Sequence, residues 1–517
     1  MPKLVQQLSL IGNPFQYYTA ETEPNISEYA IKPPYMESIT HRALNSTSFV
    51  LFGDRGAGKS ATRITVFEEL WKKKSLESET GEKVPLAVNF TDYHTVVTAV
   101  ETRKNVEQAF IEQVAFLTIE QVLVWLSSLG DDERKVYIEA MTEHETALAV
   151  DMLKQFYFSR PSVERRLNSE EALKILNQAW KTRSALWASK KWNELVSLVA
   201  KTGEIIVNFQ TGKETGLAKP IEEVLKSKEI GPATISRVTL QKIVEFARIF
   251  SFSGIVMLID KVDETAFTQN SAEKTSSLIY PILSHVQLLE IEGFSWMFFL
   301  WSKVKTYLEA GDKQVRLDKI AHTTISWDVA YFEQMLNERI RYFSKGTLTF
   351  ADLFEVEDFE LSRREIIETS MRSPRELVRL LDTIVTEHDI IYADQSVNTK
   401  IDDRSIEVGL DRYVKDTVNT IYDEKMLSQV YRLKDIKFTN KDVQGIFRIK
   451  SNSARNKIRT WEEVGMVKQT GTTAAEGDLG GKPSYEYTVV DTRVARVVAR
   501  NLVEVDEEDL LDESEDG

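Results

Sequence analysis

The chain has 517 residues, 65 basic and 80 acidic, for a net charge of −15. That length exceeds one ordinary core and predicts about two to four domains. A composition of 42% hydrophobic and 28% charged residues, with 22 Gly and 12 Pro, excludes collagen-like and wholly disordered classes, and zero cysteines exclude disulfides, thiolate zinc sites, iron–sulfur clusters and cysteine nucleophiles.

No uninterrupted apolar run approaches the roughly 20 residues that span a bilayer. The strongest runs, 294–301 and 254–259, are short enough to be buried strands. Residues 1–15 hold one Lys and no cleavable hydrophobic segment, so the expectation is cytoplasmic residence without membrane attachment. The acidic total argues against indiscriminate attraction to nucleic acid, although it leaves open a local basic patch.

In chain order, residues 1–45 read as an ordered arm, because Asn13-Pro14-Phe15 and Lys32-Pro33-Pro34-Tyr35 oppose a continuous helix. The run 48–52 predicts a buried strand that ends at a glycine-rich turn, and 60–74 predicts a helix. Between them lies Gly53-Asp54-Arg55-Gly56-Ala57-Gly58-Lys59-Ser60, which fits the phosphate-loop pattern G-x-x-x-x-G-K-[ST] in its required strand and helix context. The glycines let the backbone curl around phosphate oxygens, and the helix start adds its positive end. Residues 53–61, ending at Ala61, are therefore the expected nucleotide cradle. Lys59 reaches the outer phosphates, and the Ser60 hydroxyl can ligate Mg²⁺.

A second strand is predicted at 84–90. The following 150 or so residues show helical spacing at 106–129, 170–187 and 239–250, more chain than a crossover needs, so about 100–245 reads as a helical insertion. Its Trp180, Trp187 and Trp192 read as core or partner-docking anchors. The third strand, 254–260, ends in Asp260, followed by Lys261-Val262-Asp263-Glu264. On a strand neighbouring that of the glycine loop, Asp260 would hold a magnesium-bound water, and Asp263 or Glu264 would polarise the attacking water. Lys261 stands where many ATPases place a second acid directly after the first, which leaves the base open. Fourth and fifth strands are predicted at 295–301 and 322–327. The alternation of short apolar runs with helical stretches predicts a buried parallel sheet with crossover helices.

Together the glycine loop, the late acidic strand and the Asp-x-x-Asp-Glu run resemble the AAA+ and STAND-type P-loop ATPases, nearest the origin-recognition or initiator type and NACHT-like switches. The likeness covers roughly 46–400 plus the C-terminal module. It implies an α/β fold with a parallel-sheet P-loop ATPase core at 46–327, the large helical insertion, a helical lid at 328–416 and a C-terminal winged-helix domain. It also implies ATP and Mg²⁺ as cofactors. By this resemblance Ser302 takes the place of a polar sensor after the fourth strand. Arg375, in Ser373-Pro374-Arg375-Glu376-Leu377, takes that of a second sensor aimed at the γ-phosphate. Pro374 has a plain alternative role as a helix-start residue. Arg316 is the candidate intersubunit finger, or else a surface arginine paired with Asp312 or Asp318.

Residues 417–500 predict a winged helix: helices at 424–433, 440–449 and 451–464, then 466–468, a glycine-rich loop and alternation at 485–489. On the third helix Ala454, Ile458 and Trp461 share one face, which leaves Lys450, Asn452, Arg455, Asn456 and Arg459 as the expected DNA-facing set. Residues 431–470 carry ten basic and four acidic side chains, a local excess suited to a phosphate backbone, though winged helices also dock proteins. The last stretch, 501–517, is dense in acids and reads as a solvated, disordered tail that either aids solubility or covers the protein's own basic surface.

The six histidines are scattered, and no hydrolase triad signature or nuclease-like cluster appears. The function implied by the resemblance is a Mg²⁺-dependent ATP hydrolase acting as a conformational or oligomeric switch. It would engage DNA and a protein partner or effector subunit, within a homo-oligomer or hetero-complex. The settings open to such a protein are antiphage defence with a separate effector, replication and transposition. An ATP-binding, weakly or non-hydrolysing scaffold is the second reading, and a small-molecule kinase the third.

Overall fold

Five strands, four of them apolar and the short fifth polar, line up side by side in the computed structural model, which describes residues 2–180, 232–310, 314–393, 400–473 and 484–504. They are β1 (Phe49–Gly53), β2 (Leu86–Phe90), β3 (Ile255–Ile259), β4 (Phe294–Trp301) and β5 (His322–Thr324). All four pairings are parallel, in the order β2-β3-β4-β1-β5. Every residue of β1 and β3 is buried, which is why both read as continuous apolar runs rather than alternating ones.

This order corrects one expectation. β3 does not neighbour β1; β4 lies between them, with Gly53 opposite Trp301 and Ile259 opposite Phe298. An apolar run carries no record of its partners, so hydropathy alone gave no strand order.

The contacts divide the chain into two compact units, Lys32–Ser326, and Met1–Ile31 together with Trp327–Gly517. In the first, the helices between β2 and β3 share one apolar core with the sheet, as Phe90, Phe110, Val114, Phe246, Met257 and Trp296 illustrate. The Val106–Ser128 helix, 23 residues long, is long and apolar enough by length and composition to cross a membrane, yet most of it is buried inside the protein. Glu107, Glu112 and Glu120 interrupt the apolar sequence without lowering its average enough to matter. Trp187 and Trp192 lie outside the described residues, as do Asp312, residues 474–483 and most of the acidic stretch 501–517.

In the second unit the N-terminal arm is stapled to the Val329–Phe343 helix, where Arg339 forms a buried ion pair with Glu23 and Phe15 is buried in the same core. The Pro374–Ile391 and Asp403–Ile421 helices cross at Gly409, where a Cβ would lie 2.8 Å from the Ile384 Cα. The C-terminal module contains the three expected helices, Glu424–Tyr431, Asn440–Phe447 and Ser451–Glu463, and the β7 (Val467–Thr473) and β8 (Ser484–Val489) hairpin. The structure adds β6 (Lys437–Thr439), paired with β8, and a closing helix, Thr492–Arg500. Arg496 on that helix meets Glu365, Glu407 and Asp411, so the lid helices and the winged helix pack as one body. The chain thus has an α/β parallel-sheet P-loop core with inserted helices, a helical lid and a C-terminal winged helix.

Candidate nucleotide site and winged-helix surface

The loop after β1 has the conformation its glycines were expected to permit. Gly56 has φ +77° and Gly58 has φ +92°, values that L side chains rarely adopt. Gly58 also caps the Lys59–Ser75 helix, with the Thr62 amide donating to the Gly58 carbonyl at 2.9 Å. The first-turn amides that precede Thr62 are the donors a helix start offers to an anion. The Ala57 amide is used inside the loop, donating to the Asp54 carbonyl at 3.1 Å. Lys59 folds along the loop, its Nζ donating to the Gly53 carbonyl at 2.9 Å and the Asp54 carbonyl at 3.0 Å. A Cβ on Gly53 would crowd Lys59 Cγ at 3.2 Å, so the lysine stem is packed against the strand end.

Beside this loop stands the end of β3. Asp260 is 2% exposed, and both of its carboxylate oxygens are engaged. Oδ2 accepts a hydrogen bond from Arg63 Nε at 3.0 Å, and Oδ1 accepts one from the Lys261 amide at 2.9 Å. Arg63, one helical turn beyond Ser60, is itself buried and donates from Nη1 to Asn89 Oδ1 at 2.6 Å. The Tyr93 hydroxyl donates to the Asp260 carbonyl at 2.8 Å, and burial first, then the nearby Asp260 charge, pushes that phenol well above its ordinary value. Lys261 turns the chain with φ +62°.

Asp263 is also paired. Arg55 Nη2 reaches its Oδ2 at 3.3 Å and Asn270 Oδ1 at 2.7 Å, while the guanidinium lies 4.4 Å from the Trp301 ring centroid. Arg55 therefore ties together the glycine loop, the loop after β3 and the end of β4, an arrangement no spacing rule in the sequence announced. Glu264 is exposed, and its carboxylate makes no hydrogen bond or ion pair among the described residues. Ser302 opens the Ser302–Glu309 helix directly after β4, and its buried Oγ has no hydrogen-bond partner among the described residues.

The curled loop, the lysine and the helix start suit a triphosphate, and the orphaned Ser302 hydroxyl at the end of the intervening strand suits a polar group brought there by one. The donor set suits magnesium less well. Ser60 opens the helix beside Lys59, but the Asp260 carboxylate is charge-compensated by Arg63 at contact distance.

The remaining residues singled out in the sequence lie as follows. Arg316 is bidentate to Asp318, at 2.8 and 2.7 Å, and its guanidinium holds that carboxyl below the usual range. Arg375 belongs to the other unit. It follows Pro374 in the first turn of its helix, is exposed, and makes no side-chain hydrogen bond or ion pair among the described residues. Ser373 caps that helix, accepting from the Glu376 amide at 3.5 Å.

On the winged helix Ala454, Ile458 and Trp461 are buried, and Lys450, Asn452, Arg455, Asn456 and Arg459 are exposed, as helical periodicity required. Arg459 also meets Glu463 at 3.4 Å, with both side chains largely in solvent. Tyr485, on the wing strand β8, is 56% exposed.

No protein-family model matches the chain, and no curated protein matches it. Among solved structures it is similar to the Orc1 protein of Aeropyrum pernix in complex with DNA. The identity is 10%, the match covers 92% of this chain and 95% of that one, and the TM-score is 0.36. At that score the likeness carries no conclusion about this chain's activity.

Proposed function

We propose that this protein is a nucleotide-triphosphate switch of the P-loop ATPase class, binding and hydrolysing ATP in the first unit and engaging duplex DNA through the winged helix of the second. The observation that carries the reading is the convergence on one sheet edge of the glycine loop, Lys59 and the acidic end of β3, joined through Arg55 and Arg63. Lys59 would move from the loop carbonyls to the outer phosphates, where a fixed cation offsets charge developing on the transferred group. Of the two candidate bases, Asp263 shares its charge with Arg55. Glu264, unencumbered, is the better placed to polarise water. The Ser302 hydroxyl would orient that water or the γ-phosphate. Arg375 would supply a second cation from the lid, and Arg316 would act between subunits only after giving up Asp318. The magnesium dependence expected from the sequence would rest on Ser60 and the phosphates, given the Arg63–Asp260 pair.

Lys450, Arg455 and Arg459 would contact phosphates, with Asn452 and Asn456 turned toward base edges. Nucleotide state would be transmitted to DNA, and to a protein partner in an oligomer or hetero-complex, by changing the lid. The test is ATP turnover with and without duplex DNA by wild type, Lys59→Ala and Glu264→Gln. Turnover abolished by both substitutions is the expected result; absence of ATP turnover by wild type under all conditions refutes hydrolysis. A non-hydrolysing, ATP-gated scaffold is the second reading, favoured by the pairing of both aspartates with arginines. It predicts that Glu264→Gln binds DNA as wild type does while Lys59→Ala does not.

A further inference from the structure

The Arg63–Asp260 pair has a consequence for the metal requirement of this site, and it rests on the nucleotide reading above. A carboxylate at the end of β3 can attract a magnesium–water cluster only with its net negative charge. Here that charge is matched by a buried guanidinium 3.0 Å away. The pair is fixed on both sides. Arg63 is 5% exposed and anchored by Asn89, and Asp260 is 2% exposed and anchored by the Lys261 amide and, through its carbonyl, by Tyr93. A dication drawn to Asp260 would have to sit beside Arg63 or displace it, and a displaced guanidinium would be left buried without its counter-ion. The second aspartate offers no substitute, because Asp263 is held by Arg55. Lys59 and the first-turn amides of its helix are what the loop offers a triphosphate without breaking either pair.

We propose that Asp260 is the internal counter-ion of Arg63 rather than a magnesium ligand, so that ATP binds this site with nearly the same affinity whether or not a divalent cation is present. At Asp260 the arginine supplies the charge balance that the metal would otherwise provide.

The test is calorimetric titration of the full-length protein with ATP, once with excess MgCl2 and once with excess EDTA. The expected result is a Kd that differs by less than about threefold between the two, well under the tenfold that 1.4 kcal/mol represents. In Arg63→Gln, which keeps a hydrogen-bond donor but removes the charge, the negative charge of Asp260 is left without its counter-ion. The two conditions should then diverge by about tenfold or more. Tight ATP binding by wild type that is lost in EDTA overturns this inference while leaving the nucleotide reading intact. No ATP binding by wild type in either condition overturns both. The wild-type comparison decides the matter even if the variant proves too unstable to purify.

Discussion

Removing the three cations exposed on the third helix of the winged module is the most quantitative perturbation the structure offers. Lys450, the residue that precedes the helix, and Arg455 and Arg459 lie in solvent, whereas the opposite helix face, Ala454, Ile458 and Trp461, is buried, so the triple alanine variant should fold unchanged. Each phosphate neutralised on duplex DNA contributes about 0.9 to the slope of log affinity against log salt. Three lost contacts should therefore flatten the slope by about 2.7 and, near 0.15 M salt, weaken binding by about two log units. Arg459 must first leave Glu463, but an ion pair this exposed is worth only about 0–1 kcal/mol and lowers the figure slightly. The assay is fluorescence anisotropy of a labelled duplex across about 50–200 mM salt, with Lys104, Lys135 and Lys174 replaced together as the control for net charge. Asn456→Ala should leave the slope alone. A triple variant with wild-type slope, or a control that loses as much, refutes the assignment of this helix to the phosphate backbone.

Other outcomes follow from buried groups. Arg63→Met leaves Asp260 charged and unpaired and should destabilise the protein by about 3–5 kcal/mol in urea unfolding, with adding Asp260→Asn to it recovering part of the loss; equal loss in single and double variants would show that the pair is not coupled. Asp491 accepts from Arg493 Nη2 at 2.6 Å and from the Tyr422 hydroxyl at 2.7 Å. Burial pushes its carboxyl up, but Arg493 and Tyr422 outweigh burial and hold it below its ordinary value. Its contribution is therefore present above the ordinary carboxylate range and lost as pH falls below it, so acid unfolding of Asp491→Asn should lack the part of the pH dependence that wild type shows there. Gly409→Ala drives a methyl into the Ile384 backbone and should cost about 1–3 kcal/mol, read as a lower thermal midpoint; no change would mean the two lid helices separate easily.

The local patterns were legible because they are short-range. A strand, two glycines that must take positive φ, a lysine and a helix start occur within twelve residues, 49–60, and backbone sterics alone dictate their form. The third helix of the winged module was equally plain, since a period of 3.6 separates Trp461 and Ile458 from Arg455 and Arg459 without reference to anything else. The same locality explains the misses. β6 is three residues long and has meaning only through its pairing with β8, and Val106–Ser128 reads as a core or a membrane helix until its neighbours are known.

What the sequence determined by itself was therefore the set of parts: five strands, a glycine-rich turn leading into a helix, acids at the end of the third strand and a basic face on a short helix. Tertiary structure alone decided that β4 intervenes between β1 and β3, and that Asp260 and Asp263 meet arginines 197 and 208 positions away in the chain. Periodicity fixes which way a side chain points within its own element. Charge pairing between distant elements is settled only when folding brings them together, and for Arg63 and Asp260 burial then removes the water that would otherwise satisfy each ion separately.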